Sequence, residues 1–238
     1  MMIDSDGKSY SLGAIHIVEQ FFYSIDGIHP QMIREPGMSL FLAAVYAGAG
    51  VENIRVVYGI QALFLWLSTL FFISVWQQST RLRCAFLFLS AVASPLLITI
   101  FSLYRESIGY SLLLTIVALL LRLEQRTTWW MIAIIGCLLG LSMLTVTTLI
   151  LLPCLLILLP LFYKIRIKHI LVISCIAYGI LGIWGVRNMH YTGSPCLTGC
   201  YRSALQWYVR GERAEQMHSI TEPYRCLWSE YISRDWKN

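Results

Sequence analysis

Charge is scarce in this chain. Of its 238 residues, 13% are Asp, Glu, Lys or Arg and 57% are hydrophobic, whereas about a quarter of the residues of a soluble domain are charged. That shortage excludes an ordinary soluble fold. There is also no phosphate-binding glycine loop, no Ser-His-Asp order of note, no repeated unit, and no metal-ligand spacing among the seven cysteines. Cys84, Cys137, Cys154 and Cys175 fall inside apolar runs, where cysteine is expected to act as a small buried hydrophobe. Cys196, Cys200 and Cys226 cluster in a polar tail. An odd set of three allows at most one disulfide, and a zinc site on Cys196 and Cys200 would need further ligands. The formal net charge of +5 is dispersed in short clusters between apolar runs rather than collected on one face, so nucleic acid is not an expected partner. The opening residues, Met1 to Gly37, carry no basic n-region, no apolar h-region and no cleavage site.

What is present is long apolar sequence. Lipid gives backbone amides no partner, so such runs select helices, and the lipid bilayer is the expected surrounding. The fold class expected is an all-α polytopic membrane protein with about six transmembrane helices, at about 56–77, 84–102, 107–121, 129–146, 147–163 and 169–186. The run Met38 to Gly50 has only about 13 residues and reads as a short re-entrant or interfacial helix starting at the Pro36-Gly37 turn. Its Ala43, Ala44, Gly48 and Gly50 suit close packing. Pro95, Pro153 and Pro160 are expected to kink spans.

Orientation follows from the basic residues. Arg81 and Arg83, Arg122 and Arg126, and Lys164, Arg166 and Lys168 mark alternate loops as cytoplasmic. Three regions result: 1–55, an external loop containing the interfacial helix 38–50; 56–186, a transmembrane bundle; and 187–238, an external polar tail. An external segment before the first span requires an upstream helix to export it, which gives the expectation that a leading span is missing.

The external side then holds the acids Asp4, Asp6, Glu35, Glu52 and Glu106 and the bases Arg34, Arg55, Arg105 and Arg187. A carboxylate such as Asp6 suits a general base, and arginine forks suit phosphate oxygens. Asp4 and Asp6, in an Asp-Ser-Asp-Gly stretch, equally suit a turn or a helix cap. Arg105-Glu106 also fits a loop ion pair or cap, Arg187 fits interfacial anchoring beside Trp184, and His29 and His190 read as loop residues.

The order of these residues resembles the GT-C superfamily of membrane glycosyltransferases, the clan of protein O-mannosyltransferases and lipid A aminoarabinose transferases. It runs Asp6-Gly-Lys-Ser-Tyr10, then Arg34-Glu-Pro-Gly-Met-Ser-Leu-Phe-Leu, like the family's R-x-PGYPLFLA stretch. Ser94-Pro95, Tyr104-Arg105-Glu106-Ser107, Gly140-Leu-Ser-Met-Leu-Thr145 and Trp184-Gly-Val-Arg187-Asn188 follow. Thr145 and Thr147 stand where relatives often carry an Arg-Pro pair, and Met38 replaces the usual Tyr. The resemblance implies a GT-C-like bundle and transfer of a sugar from a polyprenyl-phosphate donor to a lipid, glycan or protein acceptor. It implies Asp6 as general base with Asp4 as the alternative, Glu106 as a second acid, and Arg105, Arg34 and Arg187 on the donor phosphate. It also implies a bacterial inner (plasma) membrane location. Metal dependence varies in that clan, and no cofactor is assigned. The alternatives are a non-catalytic transporter or flippase component for lipid-linked glycans, and an inactive fragment of a longer transferase.

Overall fold

A computed structural model of the chain describes residues 5–25, 27–28, 30–31, 34–51, 53–76, 80–92, 103, 105–161, 163 and 165–192. Asp4, Asp26, His29, Glu52, Ser94-Pro95, Tyr104, the three tail cysteines and the 199–238 unit lie outside those residues.

The described chain is helical. Helices α1 (Ser5–Gln20), α2 (Pro36–Ala49), α3 (Ile54–Val75), α4 (Thr80–Val92), α5 (Arg105–Gln125), α6 (Trp129–Thr145) and α7 (Ile167–Thr192) account for most of it. The described residues hold no strand, only a single antiparallel bridge between Ser24 and Pro30. Helices α3, α5 and α7 are long and apolar enough to cross a membrane. Helices α2 and α6 and the segment Thr147–Leu161 are shorter apolar helices.

Three expectations are refined. The polar opening is not bare loop, because Ser5–Gln20 folds as helix α1 and buries Tyr10 and Ala14 against α2. The segment expected as a fifth span is no continuous α-helix. It is 3-10 over Thr147–Leu151, α over Leu152–Leu155 and 3-10 again over Leu156–Leu161, because Pro153 and Pro160 each remove an amide donor. The four cysteines in apolar runs are exposed rather than buried; in lipid both faces of a helix are apolar, so apolar sequence does not by itself mark the inside.

Chain direction can be read from contacts between helices. Gln61 meets Ser107 and Thr115 meets Ser68, so α3 and α5 run parallel. Gly136 faces Ile176 and Gly140 faces Ile180, which makes α6 and α7 parallel as well. Between them, Ser174 donates to Pro153 O and Tyr178 to Ile150 O, so Thr147–Leu161 runs opposite to α7 and carries the chain back along it. Helix α5 and helix α6 are antiparallel: Leu120 and Leu123 share a core with Met131 and Ile132, while Gly109 lies at Val146. Phe86 of α4 meets Phe72 at a tilt and Trp76 edge-on at the far end of α3.

These directions sort the charges. The starts of α3 and α5 and the ends of α6 and α7 share one end of the bundle. Arg81, Arg83, Arg122, Arg126, Arg166 and Lys168 belong to the other, where the Trp129 and His169 rings meet edge-on. Glycine makes the central seam possible: a Cβ on Gly136 would stand 2.7 Å from Ile176 Cβ, and one on Gly140 would stand 2.8 Å from Ile180 Cδ1.

Candidate functional site

At the end away from the basic loops, the entry to α2 sets the geometry. Pro36 holds its predecessor out of helical conformation, so Glu35 is extended (φ −63°, ψ 135°) and Pro36 opens the helix. The next residue must be glycine: a Cβ on Gly37 would lie 2.7 Å from both the N and Cα of Thr145. That close approach sets the end of α6 against the start of α2 and leaves Glu35 only 2% exposed.

A buried carboxylate needs compensation. Glu35 Oε1 is ion-paired with Arg105 Nη1 from the first turn of α5, a contact without hydrogen-bond alignment, and it accepts a hydrogen bond from Thr147 Oγ1 at 3.0 Å. Its other oxygen, Oε2, is buried with no hydrogen-bond partner among the described residues. Arg105 also reaches Glu106 Oε1 through Nε at 3.4 Å. Glu106 itself is exposed, in the first turn of α5, where negative charge also suits the helix dipole.

Tyrosines from α1 and the following loop complete the cluster. Arg34 lies over the Tyr10 ring, 5.8 Å from its centroid, and Ser39 Oγ donates to Tyr10 O at 3.0 Å. Tyr23 donates its phenol to Arg34 O at 3.1 Å and to Glu35 O at 3.3 Å. Burial, with a smaller push from the neighbouring Tyr10 and Glu35, drives the Tyr23 hydroxyl far above the ordinary phenol range, so it remains a neutral donor. Gly13 admits this arrangement, since a Cβ there would come within 2.9 Å of the Tyr23 ring.

Arg187 joins from the end of α7. It stacks on Trp184, Tyr191 and Tyr23, at 4.6, 5.1 and 5.7 Å to the ring centroids. Its donors go to Asn188 Oδ1 at 2.9 Å, Tyr23 O at 3.2 Å and Gln31 O at 3.5 Å. Tyr23 therefore connects the Glu35–Arg105 pair to Arg187.

Of the residues singled out from sequence, Arg34, Arg105, Glu106 and Arg187 gather at this one end. Asp6 belongs to the first turn of α1; its side chain, like Asp4 as a whole, lies outside the described residues. The arginines are engaged by protein groups: Arg105 with two carboxylates, Arg187 with backbone carbonyls and rings, and Arg34 with the Tyr10 ring. Of the central residues, pattern reading names Glu35 only as one external acid among five and Thr147 only as a departure from an Arg-Pro pair, neither with a role, while Tyr23 is not singled out and nothing local marks it. Among the described residues no group of three or more His, Cys, Asp or Glu side chains is placed to hold a metal ion. No protein-family model matches this chain, and no curated protein or solved structure matches it either.

Proposed function

We propose that this protein is a membrane-embedded sugar transferase of GT-C type. It takes a polyprenyl-phosphate-linked sugar at the arginine-bearing end of a six-crossing bundle and passes it to a lipid, glycan or protein acceptor. The observation that carries this reading is the gathering of Arg34, Arg105 and Arg187, with Glu35 and Glu106, at the end opposite every basic loop cluster. Positive loops stay cytoplasmic, so this end faces the extracytoplasmic side, where residues 1–55 and the chain beyond Arg187 also lie. The parallel course of α3 and α5, and the alternation of α5, α6, Thr147–Leu161 and α7, support the six-crossing reading.

The chemistry divides among the side chains. Asp6 accepts the proton of the acceptor hydroxyl while that oxygen bonds the anomeric carbon and the bond from carbon to phosphate oxygen breaks. Arg34 and Arg105 receive the polyprenyl phosphate that leaves, their planar forks matching phosphate oxygens. Glu35 is a positioning residue that holds Arg105 at the start of α5, and Glu106 is a second acid at the same mouth.

The test uses the whole chain reconstituted in vesicles with a labelled polyprenyl-phosphate sugar. Transfer by the wild type, lost in Asp6→Asn while donor binding persists, is the expected result. Donor binding without any transfer by the wild type would replace the reading with a non-catalytic carrier of lipid-linked glycans, and neither binding nor transfer would refute both.

A further inference from the structure

The loop between α1 and α2 has a feature that a sugar-transfer site does not use. Phe21, immediately after α1, is 94% exposed and has φ +54°. It is the one non-glycine residue with positive φ among those described. Helices often end on a left-handed residue, but that residue is usually glycine, because a Cβ there meets the backbone. Here the helix-ending bonds form nonetheless, Phe21 N–H to Ile17 O at 3.0 Å and Phe22 N–H to His16 O at 3.4 Å. A bulky aromatic is thus held in a disfavoured conformation with its whole ring presented outward.

The described residues of the loop are tied to one another and to α7. Gln31 N–H donates to Tyr23 O at 2.9 Å, Ser24 bridges Pro30, and Gly27 N–H donates to Ser24 Oγ at 3.0 Å. His16 Nδ1 lies 3.1 Å from Ser24 O. Arg187 donates to a carbonyl on each arm, Tyr23 O and Gln31 O, and so clamps the hairpin to the end of α7. On the tip, after Gly27 with φ +76°, Ile28 is 75% exposed.

Depth identifies what meets these two side chains. The hairpin sits on Trp184 and Tyr191, through a Tyr23–Trp184 ring contact at 5.6 Å and a Phe22–Tyr191 edge contact at 5.7 Å. Those two aromatics occupy the last turns of a 25-residue helix long and apolar enough to span, the level at which Trp and Tyr anchor in the headgroup region. Val186, Met189 and Tyr191 are exposed on these last turns of α7, and the Phe22 ring beside Phe21 meets Tyr191. In water, a fully exposed ring offers no burial to offset the strained Phe21 conformation; at a lipid headgroup boundary, burial of the ring does.

We infer that the hairpin formed by residues 21–25, 27–28 and 30–31 is a membrane-surface anchor whose Phe21 and Ile28 side chains enter the headgroup region of the bilayer beside α7. The anchor fixes the height of the Tyr23–Glu35–Arg105 cluster above the lipid, and it stands independently of the transferase reading.

The experiment places a photoreactive phenylalanine analogue at position 21, at position 28, or at Trp66, an exposed residue midway along the spanning helix α3. Each full-length variant is reconstituted in phosphatidylcholine vesicles containing a radiolabelled phospholipid and irradiated. Lipid labelling at 21 and 28 is expected within about threefold of that at 66, as for side chains at the headgroup and acyl boundary. In the position 21 variant, adding Arg187→Lys is expected to lower labelling at 21 and to leave a parallel position 66 variant unchanged. Background labelling at position 21 with full labelling at 66 overturns the inference, and so does cross-linking from position 21 to a second copy of the chain.

Discussion

The ion pair between Glu35 and Arg105 offers a quantitative test of how the cluster is held. Glu35 is 2% exposed and Arg105 20%. At an ordinary contact distance of about 3 Å and an effective dielectric constant of about 20, two unit charges attract by about 5 kcal/mol, before desolvation is subtracted. Most of that attraction offsets the cost of burying the two ions, so the net worth of the pair is small while the cost of orphaning one partner is large. Arg105→Met leaves a nearly inaccessible carboxylate supported only by Thr147, and should cost about 3–5 kcal/mol. Glu35→Leu should cost about 2–4 kcal/mol, because Arg105 is partly exposed and keeps Glu106 at 3.4 Å. In Glu35→Gln the amide oxygen still accepts from Thr147 and no buried charge is left on that side, so the loss should fall to about 1–2 kcal/mol. The combined Glu35→Leu, Arg105→Met variant removes both charges together and should lie within about 2 kcal/mol of wild type. Equilibrium unfolding in mixed detergent micelles measures all four. The reasoning fails if the two single losses simply add in the double variant, since residues in direct contact must show coupling.

Two further substitutions probe the frame around that pair. Gly37→Ala should destabilise by about 2–3 kcal/mol, because its Cβ would be 2.7 Å from Thr145 backbone atoms that cannot rotate away. Gly48→Ala on the same helix meets nothing within 4 Å and should instead stabilise by about 0.5–1 kcal/mol through helix propensity; unfolding midpoints of the two variants that move in the same direction would contradict the packing described. Arg187→Lys keeps the charge but cannot serve both hairpin carbonyls and stack on three rings. Amide exchange at Gln31, whose N–H donates to Tyr23 O, should quicken by about 5- to 30-fold, the factor for a loss of about 1–2 kcal/mol; unchanged protection would mean the clamp carries no energy.

Hydropathy located α3, α5 and α7 to within a few residues because a spanning helix must be long, apolar and bounded by polar residues, all of which are written locally. The Pro36-Gly37 start of α2 was equally legible, since proline fixes its own backbone and that of its neighbour. Two features were not. Residues 5–20 carry Asp6, Lys8 and Glu19 among small and apolar residues, and α1 is helical because Tyr10, Ala14 and their neighbours find α2 to pack on, a tertiary contact with no local signature. Thr147–Leu161 is uniformly apolar like its neighbours, and what breaks its helix is the placement of Pro153 and Pro160 in a short run with no slack on either side.

Glu35 shows most clearly where pattern reading stops. In sequence it is one external acid among several, and its neighbour Arg34 drew more attention. Its role depends on Arg105, 70 positions later, and on Thr147, 112 positions later, and those positions meet only because α5 and α6 form an antiparallel pair whose open end receives α2. The helix directions that bring them together are fixed elsewhere, by glycine seams at Gly136 and Gly140 and by the hydrogen bonds from Gln61 to Ser107 and from Thr115 to Ser68. The same directions leave every basic loop cluster at the opposite end. A buried acid at that end of the bundle must bring its own counter-charge, and Arg105 supplies it from the first turn of α5. Charge placement along the chain and packing across it therefore select the same end, by independent physics: one through the cost of exporting lysine and arginine, the other through the close approach of helices at glycine.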